Sequence, residues 1–389
     1  MKILFLKWNS FGQQDIEEAF ISLGHEIITF SFDCHTERHN PDFEENLSTN
    51  IKLISPDFVF SFNYFVPVSR VCNKLNVKYV SWIFDSPYVQ LYSTTVINPC
   101  NYIFVFDQNL YNEFHSNRIS TVYYLPLASN AKRLHETRPK DTSRKNDISP
   151  RGNVSFVGAM YTEKAQFYSR LKHISDHTRG FLEAIMETQQ KVYGISFVQN
   201  VLSSNIIEDM SQDLPMYPAP DGVETREYLF AQYVINREIT ARERLSFLTQ
   251  IGKNHLVDLY TNDNSFKLSN CINHGYIDPY SEAPYIYQNS KINLNITLRS
   301  ISSGIPLRAF EIMGSGGFLL TNYQADFDDC YVANEDYVFY ESSEDMMAKI
   351  EYYLSHNKER DEISKNGFER TMKLHSFVDR VTAILDIIC

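Results

Sequence analysis

The sequence predicts an α/β protein built from two Rossmann-like, doubly wound domains, with a helical insertion in the second. Three observations carry this expectation. The chain has 389 residues, more than a single hydrophobic core usually supports. From the first residue, short apolar runs alternate with helix-length amphipathic segments. The stretch 136–153 has almost no large apolar side chain and is followed at once by a fresh apolar run. Strand and helix alternating in this way call for parallel pairing with right-handed crossovers.

In the first domain, 1–135, strands are expected at 2–8, 26–32, 57–63, 78–85 and 102–107. Between the first two, residues 13–23 place Ile16, Ala19, Phe20 and Leu23 on one helical face, and Gly24 supplies the stop. The stretch 136–153, with Pro139 and Pro150, reads as a linker. The second domain, 154–365, has strands at 154–158, 256–260, 292–296 and 318–321. Residues 162–251 are too long for one crossover and show helical spacing at Tyr168, Leu171 and Ile174 and again at Tyr228, Tyr233, Leu245 and Leu248. They read as a helical insertion, broken by Pro215, Pro218 and Pro220. Met347, Ile350, Tyr353 and Leu354 share a helix face, and a C-terminal helix within 366–389 is expected to pack back on the first domain. No internal repeat is visible.

Composition narrows the function. A net charge of −12 and a pI near 5.4 would repel nucleic acid or an anionic surface. The first apolar run, Ile3 to Leu6, stops at Lys7, short of the core of a signal peptide, and no run approaches the roughly 18 apolar residues of a membrane span. A cytoplasmic protein, or one peripheral at the inner face of the membrane, is expected, with no transmembrane segment. Cys34, Cys72, Cys100, Cys271, Cys330 and Cys389 form no C-x-x-C pair and read as reduced packing thiols rather than a metal centre. The 25 Tyr and 27 Phe are too many to line one site, so most belong to the core.

The stretch 291–321, KINLNITLRSISSGIPLRAFEIMGSGGFLLT, carries the most chemistry. A buried strand runs into a loop with Ser302, Ser303 and Gly304, and Pro306 then stands at a first helical position. The amides of such a helix start, beside two hydroxyls, suit a diphosphate. Arg308 and Glu311 are three apart and share a helical face. The carboxylate can accept both hydroxyls of a ribose, while the guanidinium can neutralise phosphate or hold the carboxylate. Gly314, Gly316 and Gly317 then allow a tight turn into the next strand. An arginine and a glutamate three apart are often only a solvated pair, and serines before a proline only caps; their concurrence between two strands of a Rossmann-like half is what points to a ligand.

Arg308, Phe310, Glu311, Gly316 and Gly317 resemble the nucleotide-sugar-binding region of the spore-maturation (CgeB-like) glycosyltransferases, a group related to the glycogen-synthase-like retaining class. The tail, from Asn366 and Gly367 through His375, Ser376 and Phe377 to Arg380, is similar to that group's ending. So are Phe156 to Tyr161 to its second-domain opening, and Ser81 to Tyr88 to its aromatic-aspartate-proline element. The resemblance implies the GT-B architecture and a nucleoside diphosphate sugar as donor substrate, with no cofactor. It also implies a role in bacterial surface glycan or glycoprotein synthesis, toward a glycan, protein or lipid-linked acceptor. One departure stands out: the retaining class has a second glutamate eight positions before the ribose-binding one, and Ser303 occupies that place here.

Under this reading Asp85 ends a strand facing the cleft between the domains, as a general base toward the acceptor or a partner of the donor sugar, or else it caps the next helix. Gly158 lets the backbone approach the diphosphate or merely turns the chain. His274, Gly275 and Tyr276 follow a short apolar strand and are expected near the base. Asp326 and Asp328 spell D-x-D, yet a polar loop or helix start suits them better than a metal, because a positive protein site can stand in for the ion. Retention of configuration would need only stabilisation of the departing diphosphate by Arg308 and the helix start, whereas inversion would need a base such as Asp85. A sugar-nucleotide epimerase of the same fold and a non-catalytic nucleotide-sugar-binding protein are the competing functions.

Overall fold

The computed structural model describes residues 1–33, 36–139, 142–162 and 166–389, and counts below are of these residues. Cys34 and residues 140–141 and 163–165, within the expected linker and insertion, lie outside them. The chain divides into two compact units. The first is Met1–Ala128 with Pro218–Glu224 and His375–Cys389; the second is Ser129–Tyr217 with Thr225–Leu374.

In the first unit, β1 (Lys2–Lys7), β2 (Glu26–Ser31), β3 (Phe58–Phe62), β4 (Lys78–Trp82), β5 (Asn101–Val105) and β6 (Val122–Tyr124) form a parallel sheet in the order β2-β1-β3-β4-β5-β6. The middle strands are mainly apolar because both faces are covered; all five residues of β3 are buried, Ser61 among them. The crossovers run through α1 (Gln13–Ser22), α2 (Pro41–Ile54), α3 (Val66–Leu75) and α4 (Gln108–Ser116). Helix α1 buries Ile16, Ala19 and Phe20 and stops where Gly24 takes φ +83°, but Leu23 is 38% exposed and leaves the expected face. Asn40 caps α2 by accepting the Phe43 amide at 2.9 Å, with Pro41 in its first turn.

In the second unit, β7 (Val154–Val157), β8 (Val257–Tyr260), β9 (Cys271–Asn273), β10 (Ile292–Asn295), β11 (Leu319–Asn322) and β12 (Val338–Tyr340) form another parallel sheet, ordered β12-β11-β10-β7-β8-β9. Counted within the unit and read from β9, this is the 3-2-1-4-5-6 order of dinucleotide-binding sheets. The order reverses between β7 and β10, so the crevice past the carboxyl ends of those two strands is where such a sheet takes its ligand. The helices of this unit are α5 (Ala131–Glu136), α6 (Thr142–Ile148), α7 (Asp176–Gln190), α8 (Val198–Val201), α9 (Ser204–Ser211), α10 (Arg226–Phe230), α11 (Asn236–Ile251), α12 (Ala283–Asn289), α13 (Leu307–Gly314), α14 (Phe327–Cys330), α15 (Ser343–Ser355) and α16 (Asn357–Leu374). Helices α7 to α11 carry a core of their own, with Leu182, Met186, Met210, Phe230 and Val234 fully buried, and a π-helical turn, Ala231–Ile235, joins α10 to α11. The last helix, α17 (Phe377–Ile388), belongs to the first unit, where Phe377 meets Trp82 edge to face at 5.9 Å.

Four expectations change. The division falls after Ala128, because α5 buries Ala131 and Leu134 within the second unit and α6 occupies much of the supposed linker. The insertion is not wholly of the second unit: its proline-rich break sends Pro218–Glu224 to the first, where the Val223 amide donates to the Tyr92 carbonyl at 2.7 Å and Asp221 accepts the Ser93 hydroxyl at 2.6 Å. The C-terminal segment is two helices, α16 and α17, split at His375 and Ser376 by a capping box between Ser376 and Asp379. The edge strands β6 and β12 are additions to the predicted set, each only three residues long.

Candidate functional site

The crevice between β7 and β10 is built from loops that follow each strand. After β7 comes Gly158 at φ +147°, whose amide donates to the Tyr260 carbonyl at 3.0 Å. A Cβ there would lie 2.6 Å from Nη2 of Arg308, so the space left by the missing side chain is filled by that guanidinium. The positive φ favours glycine at 158, and a side chain there would push the Arg308 guanidinium aside.

Arg308 stands in the first turn of α13. Its Cζ lies 5.9 Å from the centre of the Phe156 ring, and its charge acts on the buried Tyr287 hydroxyl of α12. Burial pushes the Tyr287 phenol well up, and the nearby Glu311 carboxylate pushes it further, while Arg308 acts against both. Arg308, Glu311 and Tyr287 thus occupy one neighbourhood, with Arg308 and Glu311 both half-buried. Pro306 is the residue before the helix rather than its first member, with φ −69° and ψ 149°. The amides of Leu307 and Arg308 follow it, at the end of α13 that favours an anion.

The loop between β10 and α13 is braced from behind. Gln324 donates from Nε2 to the carbonyls of Ile301 and Gly304, each at 3.1 Å, and the Asp326 amide donates to the Ser303 carbonyl at 3.0 Å. Ser303 and Gly304 are buried and Ser302 is half-buried. Gly316 at φ +86° and Gly317 make the turn from α13 into β11; a Cβ on Gly317 would press on the Tyr287 carbonyl at 2.7 Å.

Two residues escaped the sequence reading. Arg244, on α11, is 3% exposed and donates to the carbonyls of Ala159 and Ile296, just past β7 and β10. Its signal was an arginine in the stripe of Ala241, Leu248 and Ile251, but α11 also buries Glu243 and loses its amphipathic pattern. The other is Asn63, 1% exposed at φ +59° after β3. Its Oδ1 accepts the amides of Phe84 and Asp85 at 2.9 and 3.3 Å, and its Nδ2 donates to the Asp85 carboxylate at 2.7 Å. Asparagine tolerates the left-handed backbone that this bridge needs.

Asp85 itself lies past β4, which ends at Trp82. It caps no helix, because the next helical turn, Val89–Tyr92, starts after Tyr88 without a side-chain cap. It is solvent-exposed, yet the surrounding protein removes enough water to push its pKa up, against the pull of the Asn63 hydrogen bond.

His274 is occupied by contacts within the protein. Its side chain is buried, Nε2 meets the buried Asp258 carboxylate at 2.8 Å, Nδ1 meets the Asp147 carbonyl at 2.7 Å, and the ring stacks on Tyr260 at 4.7 Å. Tyr276 beyond it is 61% exposed, and its carbonyl accepts from Arg144 at 2.5 Å. In the D-x-D, Asp326 is buried and Asp328 exposed. Among the described residues no group of three His, Cys, Asp or Glu side chains could hold a metal ion. No helix among them is long and apolar enough to cross a membrane.

A cavity of about 650 Å³ opens at the other end of this sheet, near Lys291 and Phe318, which precede β10 and β11. The charges on its wall are already engaged, with Lys291 on Asn153 at 2.9 Å, Arg360 on Asp361 at 3.6 Å and Lys365 on Glu369 at 3.7 Å. Size alone does not make it the site; the carboxyl ends of β7 and β10 hold the chemistry.

Comparison with known proteins finds a match between residues 242–386 and the family described as Glycosyl transferase-like. Curated proteins give no match. Among solved structures, a glycosyltransferase from Rickettsia africae ESF-5 is similar over 100% of this chain and 97% of that one, at 12% identity and a TM-score of 0.56. Anabaena Alr3699/HepE, solved in complex with UDP-glucose, is similar over 100% and 99%, at 10% identity and a TM-score of 0.53. The protein thus has the GT-B fold, two Rossmann-like α/β domains, and a glycosyl transferase-like sequence from α11 to α17.

Proposed function

We propose that the protein is a glycosyltransferase moving a hexose-like sugar from a nucleoside diphosphate sugar to an acceptor hydroxyl in bacterial surface glycan or glycoprotein synthesis. The observation that carries this reading is the packing of the Arg308 guanidinium against Gly158 at the crevice between β7 and β10, beside the start of α13. A fixed cation and a helix start there suit a departing diphosphate, whose charge grows as the glycosidic bond breaks. Glu311, three residues along α13, accepts the ribose hydroxyls; Ser302, Ser303 and Gly304 line the phosphate side, and Tyr276 lies toward the base. HepE, with the same fold, was solved with UDP-glucose, which supports a UDP-sugar as the donor class. Asp85, in the first unit, is the acceptor-side base or donor-sugar partner, held by Asn63. The reaction needs no metal, the diphosphate being met by protein cations.

The test is to incubate the protein with a panel of nucleotide sugars and follow nucleoside diphosphate release, with and without cell extract as acceptor. Release that depends on the extract is expected. An epimerised sugar nucleotide with no acceptor, or binding without turnover, would each replace this reading.

A further inference from the structure

Resting on the nucleotide-sugar reading above, we infer that Arg244 is a second, buried cation of the diphosphate site, acting by its charge and by fixing the two loops that form it. Its Nη1 donates to the Ala159 carbonyl and its Nη2 to the Ile296 carbonyl, the latter at 2.6 Å. One guanidinium therefore joins the loop after β7 to the loop after β10, the two strands between which the sheet order reverses. It also lies 5.2 Å from the Phe156 ring and 4.8 Å from the Tyr161 ring, and Arg308 lies 5.9 Å from the same Phe156 ring.

The neighbouring pair makes the contrast. Glu243 and Arg244 are both buried, but the Glu243 carboxylate is committed to Arg299, whose Nε it meets at 2.7 Å. Among the described residues no carboxylate comes within ion-pair distance of Arg244, and its Nε has no hydrogen-bond partner. Burial lowers its pKa to about 10; Tyr161 and the Glu243 carboxylate act against that, and the like charge of Arg308 adds to it. Buried charges are normally paired with an opposite charge, and carbonyl acceptors and ring faces, which are what Arg244 has, replace lost hydration without neutralising the charge. An arginine kept so, beside a second arginine, stores a positive potential at the crevice that a multiply charged anion relieves. A diphosphate fits that demand better than a nucleoside or a neutral sugar.

Calorimetric titration of the parent, R244Q and R244K with inorganic pyrophosphate, with uridine and guanosine diphosphates and with the matching nucleosides tests this, after circular dichroism shows each folded. R244Q should weaken pyrophosphate and nucleoside diphosphate roughly tenfold or more, with nucleoside affinity changed less than about threefold. R244K, which keeps the charge, should regain most of the loss; it also serves alone if R244Q does not fold, and equal losses of diphosphate and nucleoside in R244K would overturn the inference. A folded R244Q that binds pyrophosphate like the parent, or that loses both ligand classes equally, would reduce Arg244 to a brace. A parent that binds no pyrophosphate also overturns the inference. A parent that binds pyrophosphate but neither nucleoside diphosphate leaves Arg244 in place and removes the nucleotide-sugar reading instead.

Discussion

Arg308 and Glu311 share a helix, but their charges assign them to different parts of a nucleotide, and that difference can be measured. Charge-assisted hydrogen bonds are worth roughly 1.5–3 kcal/mol each, so Glu311→Ala should weaken nucleotide binding about ten- to a hundredfold. Arg308→Ala should harm nucleoside diphosphate binding more than nucleoside binding, because its target is phosphate charge. Titration of both variants with both ligands checks this, and a folded Glu311→Ala that binds nucleotide like the parent would move the pocket elsewhere. Asp85 makes a separate case. Its raised pKa means that protonation, which disables a base, sets in above the ordinary aspartate value of about 3.9, so turnover should fall as pH drops through that raised value. Asp85→Asn should lower kcat by roughly 10²–10⁴-fold and remove this acidic limb, with nucleotide affinity nearly unchanged, since Asp85 belongs to the first unit and the nucleotide residues to the second. Equal turnover in parent and variant would make it a structural partner of Asn63.

At the level of elements, β7 and α13 are tied through one atom that is absent, the Cβ of Gly158. Gly158→Ala would place a methyl against the Arg308 guanidinium at a positive φ, so stability should fall by more than about 1 kcal/mol. Arg308 should also swing away, weakening nucleoside diphosphate more than nucleoside. A loss of stability with unchanged ligand preference would show that Arg308 reaches its target by another path. The same elements show what the sequence could disclose. Buried parallel strands concentrate β-branched and other apolar residues in short runs, so β1, β3, β7 and β10 were readable within a residue or two even with Ser155, Asn293 and Asn295 among them. The edge strands β6 and β12 have three residues each, too few for any period to appear. The loop after β10 and the Arg308–Glu311 spacing were legible because proline, glycine and charge mark them in the chain. Arg244 was not, since buried charges cancel the amphipathic pattern of α11, and nothing in His-Gly-Tyr says that His274 turns inward to Asp258.

Over the whole molecule, the charge balance opposes the charge of the proposed ligand. The chain carries a net charge of −12, yet the donor is a polyanion, so its binding has to come from local fields strong enough to outweigh the global one. In many enzymes a divalent ion supplies such a field. Here Arg308, Arg244 and the start of α13 meet at one crevice, whereas the D-x-D splits between a buried Asp326 and an exposed Asp328. On the proposed reading, guanidinium groups already in place would cost little reorganisation as charge develops on a leaving diphosphate, which is the part a metal would otherwise play. Nucleoside diphosphate release should therefore persist in EDTA at a rate within about twofold of the untreated enzyme, the charge stabilisation being already in the protein. The measurement is turnover before and after chelation, followed by addition of manganese or magnesium. Activity that vanishes on chelation and returns with either ion would mean that the arginines do not suffice, and Asp326 and Asp328 would then be the first carboxylates to replace.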